Sequence, residues 1–135
     1  MSFVDAIKSV LIVNYFNFSG RARRSEYNYF LLFNILINIG FTILAYLLGT
    51  NTDDIISALT SLAWLAGIQL IVSLLLFIPG ISVGVRRLHD INKSGWWVLI
   101  MIPLSLLVIP VFIYLYWLII KEGDSSSNNY GEPVK

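Results

Sequence analysis

The chain has 135 residues, of which 57% are apolar or aromatic and only 13% charged, well below the roughly 25% charged residues of a soluble domain. A net charge of +1 supplies no field for nucleic acid, and no zinc-finger spacing or aromatic-basic groove suggests one. The absence of cysteine excludes disulfides, thiolate metal sites and cysteine nucleophiles together.

Three stretches carry no Asp, Glu, Lys or Arg: 27–52, 55–85 and 94–120. Each exceeds the roughly 20 residues that a helix needs to span about 30 Å of hydrocarbon, and none has the polar face of a soluble amphipathic helix. The expected fold is therefore all-α: an integral membrane helical bundle with three transmembrane helices and a short N-terminal interfacial helix.

In chain order, residues 2–18 place Phe3, Val4, Ile7, Val10 and Leu11 on one helical face. A helix lying on the membrane and a helix packed on the end of the bundle both fit that pattern. No basic n-region or small-residue cleavage site precedes Arg21, so the first span is expected to remain as an anchor. That span covers about 27–48, with Ser25 placed to cap it and Glu26 in the first turn, where the helix dipole favours an acid. Gly49, Thr50 and Asn51 end it, and Asp53 and Asp54 form a polar link. The second span lies within about 62–85, with Pro79 and Gly80 expected to kink it or end its regular part.

The third span, about 96–120, opens on Trp96 and Trp97 and closes on Tyr114, Tyr116 and Trp117, residues suited to the headgroup interface. Pro103 and Pro110 fall inside it. A single kinked crossing is preferred over a re-entrant hairpin, because the halves of a hairpin are too short to span. The membrane domain is thus 1–122, and the polar residues 123–135 are expected to form a flexible tail.

Lys and Arg in short loops are retained in the cytoplasm. Lys8, Arg21, Arg23 and Arg24 precede the first span, Arg86, Arg87 and Lys93 follow the second, and the link between them has none. Three crossings then put the N-terminus in the cytoplasm and the C-terminus outside, in the periplasm or beyond.

This topology brings two polar segments to one membrane face. Their residues Arg21, Arg23, Arg24, Glu26, Arg86, Arg87, His89, Asp90, Lys93, Trp96 and Trp97 form a candidate interfacial site for an anion or a partner. Positive-inside retention explains the arginines and the lysine but not Glu26, His89 or Asp90. Helical pairing of Arg86 or Arg87 with Asp90, and of Arg23 with Glu26, would account for the two acids. The single histidine has no second histidine or cysteine to complete a metal shell, and its neighbour Asp90 points elsewhere on a helix. No catalytic residue, metal ligand or cofactor is assigned. Inside the spans, Asn34, Asn38 and Thr42 share one stripe and Gln69 and Ser73 another. They read as an interhelical hydrogen-bonded seam. A permeation path is the alternative, although it usually needs ionisable groups that the spans lack.

Together the segments Gly20-Arg21-Ala22-Arg23-Arg24-Ser25-Glu26-Tyr27, Arg86-Arg87-Leu88-His89-Asp90 and Lys93-Ser94-Gly95-Trp96-Trp97, a Gly123-Asp124 turn and a Tyr130-Gly131 ending resemble the bacterial inner-membrane family known as domain of unknown function 805. The resemblance runs from about Phe18 to Gly131 and implies a multi-pass bacterial inner-membrane protein. It implies no substrate, reaction or cofactor. The tail departs from the family pattern, with serines where proline is favoured and Asn129 where arginine is favoured. The leading expectation is a non-catalytic protein that binds anionic lipid headgroups or an unknown protein partner, itself a candidate homo-oligomer. The alternatives are a small transporter or channel component, and an enzyme acting on a lipid headgroup.

Overall fold

The computed structural model describes residues 1–51, 54–104 and 108–134. Among them every regular element is helical: α1 (Phe3–Lys8, continued by a π-helical turn, Ser9–Val13), α2 (Arg24–Thr50), α3 (Ile55–Asp90), α4 (Trp96–Leu104) and α5 (Val108–Leu115, continued by a π-helical turn, Tyr116–Ile120). Ser2 and Asp5 cap the start of α1 reciprocally. Asp54 caps α3, its carboxylate accepting from the amides of Ile56 and Ser57. Asp53, the other acid of the link, lies outside the described residues.

At about 1.5 Å per residue, the 27 residues of α2 extend about 40 Å and the 36 of α3 about 54 Å. Both are long and apolar enough to cross a membrane. They pack as an antiparallel pair, Phe30 of α2 clustering with Val83 and lying near Gly80 of α3.

Several expected boundaries shift. Arg23, rather than Ser25, stands at the N-cap of α2, without a side-chain cap bond. Pro79 neither ends nor interrupts α3, which runs on to Asp90. A proline supplies no N–H, so the carbonyl of Leu75 loses its helical donor. The Tyr15 hydroxyl takes that place, donating to the Leu75 carbonyl at 2.6 Å. What ends α3 is Asn92, whose φ of 54° lies in the left-handed region. There the amides of Asn92 and Lys93 bond the carbonyls of His89 and Leu88 at 3.0 and 2.9 Å, a Schellman closure with asparagine in the usual glycine place.

The segment 96–120, expected as a single crossing, instead holds two short helices, α4 and α5, whose outer ends lie together; residues 105–107 lie outside the described residues. Trp97 at the start of α4 meets Trp117 beyond α5 edge to face, with ring centroids 5.5 Å apart. Val98 and Leu118 share one cluster with Leu88 and Ile91 at the end of α3. The nine residues of α4 reach only about 14 Å, less than half of a bilayer core. The chain therefore returns to the end of the bundle from which α4 departs. The C-terminal segment lies beside Arg21 and Asp90, not at the far end beside Asp54.

The first helix packs on the bundle, with Val10 buried among Ala22, Phe30 and Val83, while Val4, Ile12, Val13, Phe16 and Phe18 stay exposed. After Val13 the chain is not helical, and the expected helix to residue 18 is shorter for that reason. The carbonyls of Asn14 and Asn17 lie 2.8 and 2.6 Å from the buried Ser82 hydroxyl, which tethers this arm along α3.

Replacing Tyr15 by Phe keeps the ring but strands the Leu75 carbonyl beside Pro79. Lipid offers that exposed carbonyl no other donor, and an unsatisfied one costs about 1–3 kcal/mol. The variant should unfold correspondingly earlier in detergent melts, and the loss should vanish in a Pro79→Ala background, where the helix supplies its own donor.

Candidate functional site

Where the end of α3 meets the segment before α2, the polar motifs converge on the carboxylate of Asp90. Arg21 Nε donates to Asp90 Oδ1 at 2.8 Å and Arg87 Nη1 to Oδ2 at 2.7 Å. The side chains of Arg21 and Arg87 are 1% and 0% exposed and that of Asp90 8%. The pairing of Arg87 with Asp90 is the i,i+3 contact expected once the helix continues. Arg86 turns instead to Glu26 of α2, its Nη2 donating to Oε1 at 3.0 Å, where the Ser9 hydroxyl also donates at 2.9 Å. Glu26 thus pairs across the bundle, not with Arg23.

The other bonds of Arg21 and Arg87 go to backbone carbonyls, whereas the buried Arg86 Nε has no partner among the described residues. The last carbonyls of a helix have no donors of their own. Beyond α5 they are met by side chains: Arg87 Nε donates to Leu118 at 3.0 Å, Asn28 Nδ2 to Ile119 at 3.2 Å, and Arg24 Nη1 to Ile120 at 3.1 Å. Arg87 also donates to the Lys121 carbonyl. Cationic donors at a helix C-terminus oppose the negative end of its dipole as well.

Residues 123–134, read from composition as a free tail, fold back over this cluster. Arg21 donates to the carbonyls of Ser126 at 2.9 Å and Gly131 at 3.3 Å, and to that of Asp124. The Asp124 amide donates to the Asp90 carbonyl at 2.8 Å. Asn128 Nδ2 donates to the His89 carbonyl at 3.0 Å. Gly123 lies against Asp90 so closely that a Cβ there would fall on the carboxylate. Gly95 similarly lies where a Cβ would meet Val85 at 2.6 Å.

His89 is buried, its Nδ1 3.1 Å from the Gly20 carbonyl. That carbonyl can only accept, so Nδ1 carries the proton. The ring of Tyr130 stacks on the imidazole at 3.9 Å and 3°. His89 lies beyond the apolar run that ends at Val85. Burial holds its pKa below the ordinary 6.5, against the opposing bond to Gly20.

The other residues read as one site divide. Lys93 Nζ lies 4.1 Å above the Trp117 ring, a cation–π contact that joins the two ends of the hairpin through Trp97. Trp96 is exposed. Arg23 is part-exposed, with a buried Nε that has no partner among the described residues. Arg24 is half-exposed and 3.9 Å from the exposed Glu122. The structure therefore gathers Arg21, Glu26, Arg86, Arg87, His89 and Asp90 into an internal ionic lock and leaves Arg23 and Arg24 at its rim. A pocket of about 410 Å³ opens there, lined by Arg23, Arg24, Ser25, Glu122 and Asp124. Asn28, Gly123 and Tyr130 belong to the lock but were not singled out as site residues. Gly123 and Tyr130 had a signal only in the family resemblance.

Of the seam, one bond joins the two helices: Gln69 Nε2 donates to Asn38 Oδ1 at 3.3 Å. Asn34, Asn38 and Thr42 donate along their own helix to the carbonyls of Phe30, Asn34 and Asn38 at 2.9, 2.8 and 2.8 Å.

Two helices with the length and composition of membrane spans, a short apolar hairpin and a polar end closed by ion pairs define an integral membrane protein. The chain belongs to the family described as a protein of unknown function, DUF805, whose model matches residues 15–132. It is 33% identical over 127 residues to the inner membrane protein YhaI of Escherichia coli K12, covering 93% of this chain and 92% of that one. To the inner membrane protein YhaH of the same strain it is 34% identical over 130 residues, covering 93% of each. No solved structure matches.

Removing one partner of a buried ion pair typically costs 3–5 kcal/mol. Asp90→Ala should therefore lower stability by about that amount and free residues 123–134 to protease. Gly123→Ala should expose the tail in the same assay while leaving the charges in place.

The folded state favours the neutral imidazole of His89, so its contribution is complete above 6.5 and is lost as pH falls below it. Protection of the tail should weaken between pH 7 and pH 5, and that component should disappear in His89→Gln.

Proposed function

We propose that this is a non-catalytic inner-membrane protein with two full crossings, both chain ends at the cytoplasmic face, and a rim site there for an anionic phosphate headgroup. The hairpin supports this orientation. With the C-terminal segment returned to the basic end, Lys8, Arg21, Arg23, Arg24, Arg86, Arg87, Lys93 and Lys121 all belong to one end, as positive-inside retention favours.

The observation that carries the headgroup reading is the division among the arginines. Arg21, Arg86 and Arg87 are held by internal carboxylates and carbonyls, so the lock itself is not the binding site. Arg23 and Arg24 remain, beside the first turn of α2, whose leading amides have no helical acceptors and no side-chain cap. The Glu122 carboxylate, 85% exposed and 3.9 Å from Arg24, sits loosely where an anion with better geometry would displace it. Arginines with free amides at a helix N-terminus suit phosphate. The neighbouring Trp96, Trp117 and Tyr116 provide interfacial anchoring.

Reporter fusions at residue 134 and in the 51–54 link should report opposite sides, with residue 134 inside. Lipid mass spectrometry of protein in native-membrane discs should show anionic phospholipid enrichment that Arg23→Gln/Arg24→Gln reduces severalfold. Enrichment equal in wild type and double variant, or a periplasmic residue 134, would overturn the corresponding part of the reading. The tail's protease protection serves as the folding control.

A further inference from the structure

Among the described residues, no other helix covers the distal halves of α2 and α3. The hairpin reaches α3 through α4, and both long helices through the turn at Tyr116–Ile120, all near the basic end. Beyond it, among the described residues, Leu36, Ile39, Ile43, Leu70, Ile71 and Leu74 are exposed. Apolar exposure of this kind is ordinary against lipid.

The polar groups among them are not. Asn38, Thr42 and Ser73 are exposed and Gln69 is half-buried. Asn38, Gln69 and Ser73 border a notch of about 220 Å³ between the two helices. Asn38 lies near the middle of the charge-free run 27–52, and therefore near the middle of the hydrocarbon. Internal bonding is incomplete there. Asn38 places one amide hydrogen on the Asn34 carbonyl, and its oxygen accepts from Gln69. The second amide hydrogens of Asn38 and Gln69, the Gln69 side-chain oxygen and the Ser73 hydroxyl have no hydrogen bond among the described residues. Lipid tails offer neither donors nor acceptors.

We infer that the notch is the interface for a second copy of this chain, related by a twofold axis along the membrane normal. A carboxamide both donates and accepts, so Asn38 and Gln69 are complementary to themselves. The membrane fixes the depth and orientation of every copy, and a second copy then presents the same groups at the same height, which an isologous contact requires. A different partner would need its own polar groups placed independently at that depth. The assembly is a four-helix bundle of two α2–α3 pairs with a hydrogen-bonded centre, and the two ionic locks remain at one face.

The absence of cysteine makes the test clean. Single Ser73→Cys and Leu36→Cys variants are oxidised in native membranes. Ser73 borders the notch, whereas Leu36 lies on the far side of α2 from Asn38 by helical spacing. Ser73→Cys should cross-link to a dimer in high yield and Leu36→Cys should not. In lipid discs, native mass spectrometry should find dimers, and Asn38→Leu/Gln69→Leu should shift the equilibrium at least tenfold toward monomer without altering tail protection, which reports the fold independently. A monomer in native membranes, equal cross-linking at both positions, a dimer indifferent to the double substitution, or a different protein cross-linked at Ser73→Cys would each overturn the inference.

Discussion

One carboxylate organises the polar end of this molecule. The two oxygens of Asp90 are taken by two guanidiniums that reach it from different parts of the chain. Those guanidiniums are fixed in turn by carbonyls at the end of α5 and in the tail. Buried charge without a partner is expensive, while a buried pair compared with well-packed apolar residues adds little net stability. The arrangement therefore contributes specificity more than strength. It favours the one geometry in which the arm before α2, the end of α3, the hairpin and the tail are all present. The pair Arg86–Glu26 repeats the principle between α3 and α2, with Ser9 of the first helical segment attached.

That constraint also sets what the rest of the molecule can present. Fixing the hairpin at the basic end leaves α2 and α3 as the helices long enough to span a membrane, and Asp54 caps α3 at their far end. Arginines used as internal donors are unavailable to ligands, and their neighbours at the rim inherit any recognition role. Within the hydrocarbon, the shortness of α4 and α5 leaves the long pair uncovered where its side chains are most polar.

The apolar spans were legible because absence of charge over 20 or more residues has few other meanings. The Arg87–Asp90 contact was legible for a similar reason, since helix geometry alone brings residues three apart together. Arg86 and Glu26 are 60 residues apart, and no local rule joins them. The hairpin was misjudged because a charge-free run counts residues, not direction. Pro103 and Pro110 flank a reversal that reads equally as a kink. The tail was misread for a different reason. Composition reports what side chains can bury, whereas this tail docks largely through its carbonyls, which every sequence possesses. Proline in α3 was similarly ambiguous, because the donor that repairs it, Tyr15, comes from an arm 60 residues earlier.

Arg21 is made early during synthesis, yet its acceptors at Ser126 and Gly131 lie 105 and 110 residues downstream. While the chain is still on the ribosome, the long helices can enter the membrane and the pairs Arg21–Asp90, Arg87–Asp90 and Arg86–Glu26 can form, but the covering carbonyls are still missing. The guanidinium hydrogens that bond Leu118, Ser126 and Gly131 stay hydrated until those residues arrive. Full closure of the lock thus waits for residues 118–131, and a copy interrupted before them keeps Arg21 without its Ser126 and Gly131 acceptors.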